Sequence, residues 1–67
     1  MARHPNVIAI LRYFDYGHLD DNLSPISRAC HDLAHSMAAQ IEDSSELVAG
    51  LRKLLEAKDC FVRAKLP

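Results

Sequence analysis

The stretch of this chain richest in groups able to do chemistry is Tyr13-Phe14-Asp15-Tyr16-Gly17-His18-Leu19-Asp20-Asp21-Asn22-Leu23-Ser24-Pro25. Gly17 and Pro25 punctuate it, and the Asp-Asp-Asn-Leu-Ser segment prefers to hydrogen-bond its own backbone, so it reads as a turn that no helix crosses. An aromatic face beside guanidinium groups suits a nucleotide, because the base stacks on the ring while a phosphate takes paired N–H bonds from arginine. Tyr16 and His18 in the turn, Arg28 and His31 shortly after it, and Lys58 and Arg63 near the far end are the residues that could build such a site. The start of a helix at Ser24-Pro25 would add unpaired N–H groups that favour an anion. The plainer reading has Tyr16 staple the turn and Arg63 pair with Asp59 one helical turn earlier.

Two other constellations compete with it. His31-Asp32-Leu33-Ala34-His35 places two imidazoles four residues apart on one helix face, and it differs from the zinc-protease signature by aspartate in place of glutamate. The shorter carboxylate matters, since the base must reach the metal-bound water, and only His18 or another subunit offers a third ligand. Cys30 and Cys60 fall on or near apolar stripes, where a thiol stays protonated and inert, so packing is their expected role. There is no phosphate-cradling glycine loop, Ser-His-Asp arrangement or pair of carboxylates in a cleft. The chain reads as a binder, not an enzyme, and calls for no cofactor.

Helices must position these groups. Asn6 is a plausible N-cap for a short first helix through Phe14, apolar on nearly all sides and therefore in need of cover. Ser24 as cap and Pro25 in the first turn open a second helix, along which Ile26, Ala29, Cys30, Leu33, Ala34, Met37, Ala38 and Ile41 recur at three- and four-residue steps. Asp43, with Glu46 as its reciprocal partner, caps a third. That helix carries Leu47, Val48, Leu51, Leu54, Leu55, Phe61, Val62 and Leu66 at the same period. Lys58 interrupts the stripe, its stem covering the apolar seam and its ammonium in water.

A connection of a few residues makes the two long helices antiparallel neighbours. Cys30 then falls opposite Cys60, and Arg28 and His31 fall beside Lys58 through Arg63. The aromatic turn lies at the same open end. Glu42, Asp43 and Glu46 make the closed end acidic. The fold class is all-α, residues 1–67 forming a single domain: a short N-terminal helix followed by an antiparallel two-helix hairpin.

A chain of 67 residues exposes too much surface to hold together comfortably alone, so other copies are expected to cover it. A formal net charge of −1 argues against binding a DNA or RNA polymer, whose affinity comes from neutralising many phosphates. The apolar run Val7 to Leu11 is too short to span a bilayer, and no small-residue cleavage site follows it. The expectation is a cytoplasmic protein with reduced thiols and no membrane partner.

The composite Tyr16-Gly17-His18-Leu19, then a capped helix, then a final helix ending Phe61-Val62-Arg63-Ala64 resembles the helical-hairpin domain of bacteriophage anti-CBASS proteins and the related Thoeris anti-defence proteins. The resemblance implies a homo-oligomer, commonly a hexamer. It also implies a sponge in the host bacterial cytoplasm that sequesters cyclic di- and trinucleotide messengers of bacterial immunity without cleaving them. In that family the pocket lies between two protomers. The stacking tyrosine corresponds to Tyr16, the late arginine to Arg63, and the basic residue of the first long helix to Arg28 or His31. The lysine usual at the last position aligns ungapped with His31, whereas Arg28 matches only with a turn of different length. A protein-interaction module that docks its apolar first segment on another protein is the alternative from a different class, and a metal site at His31 and His35 is a third.

Overall fold

A computed structural model of the chain describes residues 3–16 and 23–66. They form three helices, α1 (Pro5–Arg12), α2 (Ser24–Gln40) and α3 (Ser45–Lys65), with no strand among the described residues. None of the helices is long and apolar enough to cross a membrane.

The first helix begins earlier than expected. His4, not Asn6, is its N-cap: Nδ1 of His4 accepts from the Asn6 backbone N–H at 3.1 Å, and Pro5 takes the first position, where a missing N–H costs nothing. After Arg12 the chain tightens through i to i+3 turns, Phe14 N–H reaching Leu11 O at 3.1 Å and Asp15 N–H reaching Arg12 O at 3.2 Å. This tightening turns Phe14 inward until it is fully buried, beside Val7, Ile10 and Leu11.

The second helix is capped at Leu23 without a side-chain bond, so Ser24 does not serve as the cap; its hydroxyl donates to the Tyr16 carbonyl at 3.4 Å instead. Its stripe is rotated from the expected one. Ser27, Cys30, Ala34 and Ala38 are buried, whereas Leu33 and Ile41 are close to half exposed. Small side chains on the covered flank let α1 and α3 approach closely, which the larger residues of the neighbouring row would not allow.

Ser44, not Asp43, caps α3, its hydroxyl accepting from Leu47 N–H at 3.1 Å. Along α3 the apolar positions divide into two rows. Val48, Leu51, Leu55 and Lys58 belong to one; it turns toward α1, since the Lys58 ammonium donates to the Tyr13 carbonyl at 2.6 Å and lies 6.0 Å from the Phe14 ring centroid. Lys58 is therefore 9% exposed, its charge spent on the end of α1 and not on water as its sequence position suggested. Gly50, Leu54, Phe61 and Ala64 form the other row, which lines open grooves beside Leu33 of α2.

Candidate functional site

Tyr16 lies against α2. The Ser24 hydroxyl donates to the Tyr16 carbonyl, and the Tyr16 and His31 rings meet in a T-shaped arrangement, centroids 5.1 Å apart and planes at 74°. One helical turn further, the His35 ring lies 4.3 Å from that of His31. His31 Nδ1 is 3.1 Å from Asp32 Oδ1, and the other carboxylate oxygen lies 3.8 Å from Arg28 Nε. Tyr16, His31 and Arg28 thus share one continuous surface patch, joined through Asp32.

What the patch can do follows from its parts. A T-shaped contact with His31 can take up no more than one face of the half-buried Tyr16 ring, which leaves the other for a planar ligand, and the solvent-facing guanidinium of Arg28 can turn its fork to a phosphate. Asp32 works against an anion, because its negative charge already engages both nearby basic groups. The sequence pointed to Asp32 only as the carboxylate of a metal site; its four-residue spacing from Arg28 was the signal for the pairing seen here.

Arg63 is not part of this patch. It is exposed on α3, and its Nη2 donates to Cys60 Sγ at 3.4 Å; among the described residues it makes no ion pair with Asp59. Lys58 is committed to Tyr13. His18 lies outside the described residues.

No family model, curated protein or solved structure matches this chain. The patch must therefore be judged on its own geometry.

The other candidates fare less well. No group of three or more His, Cys, Asp or Glu side chains that could hold a metal occurs among the described residues, so His31 and His35 stand there without a third ligand. Cys30 is buried and Cys60 exposed, both as free thiols, so the expectation that the two sit alike on the apolar seam fails for Cys60. Burial pushes the Cys30 thiol up, with the Lys58 charge opposing, and a thiol so placed is a poor nucleophile.

The most tightly tied polar group lies at the other end of the molecule. Asp43 accepts from the His4 backbone N–H at 2.6 Å and from Arg3 Nη1 at 3.0 Å, clamping the start of α1 to the start of α3. The His4 N–H first, then the Arg3 guanidinium, hold the Asp43 carboxyl below its usual value despite some desolvation. A carboxyl depressed in the folded state stabilises above its unfolded value and loses that contribution as pH falls through the folded one. In thermal melts, wild type should exceed Asp43→Asn at neutral pH, and the gap should close as pH drops below about 4. A gap constant across pH would mean that the clamp does not depend on charge.

Proposed function

We propose that this chain is a non-catalytic, homo-oligomeric binding protein that sequesters a cyclic oligonucleotide second messenger of bacterial anti-phage immunity in the cytoplasm of an infected bacterium. Its working unit is an antiparallel hairpin of α2 and α3, with the ligand at the end where the aromatic turn meets α2. The observation that carries the reading is the contact of Tyr16 with His31 at 5.1 Å, with Arg28 linked to the same patch through Asp32. A ring for a base and a guanidinium for a phosphate then stand at one exposed spot.

Tyr16 stacks on a base, and Arg28 with His31 takes a phosphate. Arg63 has no partner in that patch within one chain, so its phosphate-binding role requires a site completed by a second protomer. The chemistry is binding alone.

Calorimetry with a panel of cyclic di- and trinucleotides tests the reading. At least one should give a saturable signal. Tyr16→Ala should weaken it roughly tenfold to a hundredfold, the range that loss of one base-aromatic stack implies. Asp32→Asn should strengthen it, because the carboxylate competes with phosphate for Arg28. Absence of heat with every member of the panel, or affinity indifferent to both substitutions, would sink the proposal.

A further inference from the structure

We infer that the α2/α3 face turned away from α1 is the docking surface for a second copy of this chain, paired about a two-fold axis that runs the two hairpins in opposite directions. Two apolar grooves meet on this face. One, of about 510 Å³, lies among Ile26, Ala29, Phe61 and Lys65, and the other, of about 310 Å³, among Met37, Ile41, Glu46 and Gly50; Leu33 and Leu54 line both. No residue of α1 lines either groove. Phe61 is 55% exposed there, Leu33 47% and Ile41 46%. Side chains of that size at helical spacing need cover that α1 does not supply.

Three features of the molecule point to a second copy as the cover. The first is charge. Glu46 lines one end of the continuous face and Lys65 the other, with Glu42 and Arg63 exposed near them. A two-fold axis parallel to the helices would set acidic end on acidic end and basic on basic. An axis across them places each Glu46 near the Lys65 of the other copy, twice per dimer.

The second feature is shape. Gly50 opens onto empty space, with nothing within 4 Å of where a Cβ would stand. Along α3, Gly50 and Phe61 lie equally far, about 8 Å at roughly 1.5 Å per residue, on either side of the midpoint between Glu46 and Lys65. The axis that matches the charges therefore also lays each exposed Phe61 ring over the Gly50 notch of the other copy. A glycine inside a helix costs roughly the most of any residue but proline, and here the bare backbone gives room for a ring.

The third is register on α2. Leu33 sits midway between Ala29 and Met37 and within half a residue of the midpoint of Ile26 and Ile41, so the same axis brings Leu33 onto its own counterpart while Ala29 faces Met37. Both helices thus agree on one placement, and the product is a four-helix bundle in which every neighbour runs antiparallel. Residue i meets j and j meets i, as a closed two-fold interface requires. The pairing develops the homo-oligomer part of the proposed function and owes nothing to the nucleotide part. A dimer silent toward nucleotides would remove only the ligand, and a monomer that binds one would remove only the pairing.

Sedimentation velocity of the full chain over a dilution series reads the outcome. Wild type should have the mass of two chains or an even multiple. Gly50→Glu should halve that mass and weaken association more than tenfold, with far-UV circular dichroism showing helix content at or above wild type. Glu46→Lys and Lys65→Glu should each weaken association several-fold, and the double variant should recover it. Costs at the two helix ends would add in the double variant, whereas a restored ion pair cancels them, so recovery reports the pairing itself. A monomeric wild type, a dimer indifferent to Gly50→Glu, or a double variant weaker than both single ones would overturn the inference.

Discussion

Phe14→Ala should leave the chain largely unfolded at room temperature. Phe14 is 0% exposed and, with Val7, anchors α1 to the other two helices. Truncating a buried phenylalanine costs about 3–5 kcal/mol, through lost burial and the cavity left behind. The core of a single domain of this length rarely supplies more than about 3–5 kcal/mol of stability. The loss therefore takes up most or all of the margin. The buried residues of α2, Ser27, Cys30, Ala34 and Ala38, have side chains too short to collapse into the gap. Phe14→Leu, which keeps most of the volume, should cost less than about 1.5 kcal/mol. Urea titrations followed by circular dichroism, run at several protein concentrations to separate folding from association, distinguish the two variants. A Phe14→Ala variant as stable as Phe14→Leu would show that α1 is dispensable to the fold.

Which helices form was legible because the signals are local. Pro25 fixes the first turn of α2, three- and four-residue spacing carries both long helices, and the run from Ile41 to Ser44 breaks them. Which flank each helix buries was legible only in part: Cys30, Ala34, Ala38, Leu47 and Leu51 are buried as expected, Leu33 and Ile41 are not. On α2 the rows Ser27-Cys30-Ala34-Ala38 and Ile26-Leu33-Met37-Ile41 are adjacent, and periodicity ranks the row of larger side chains first. The close approach of helices selects the row of smaller ones instead. The caps were misjudged for a related reason. Asp43 has the chemistry to cap α3, but Arg3 and His4, some forty residues away in sequence, claim its carboxylate and leave the cap to Ser44. In the candidate site, Arg28 and His31 share a stretch of α2 by simple helical spacing, and the turn places Tyr16 beside them. Arg63 depended on the relation between two helices, and among the described residues its side-chain hydrogen bond is with Cys60.

Lys58→Ala should be the second most damaging single change. The ammonium donates to the carbonyl of Tyr13, the residue that caps the C-terminus of α1, where helix carbonyls concentrate negative potential. A hydrogen bond from a charged donor contributes about 1.5–3 kcal/mol. The stem adds packing, at about 0.8 kcal/mol for each methylene removed from water. Alanine forfeits both, an expected loss of about 4 kcal/mol with the hydrogen bond taken at the low end of its range. Lys58→Met separates them, since its unbranched side chain keeps most of the stem and loses only the donor; it should recover roughly half of the loss. Lys58→Glu should be worse than either, because a carboxylate would then face the carbonyl end of α1. The order methionine, alanine, glutamate in urea midpoints is the expected result. Equal midpoints for methionine and lysine would mean that the ammonium contributes nothing and that the seam needs only an aliphatic chain at this position. α1 would then be held by its buried apolar residues, Phe14 and the Asp43 clamp.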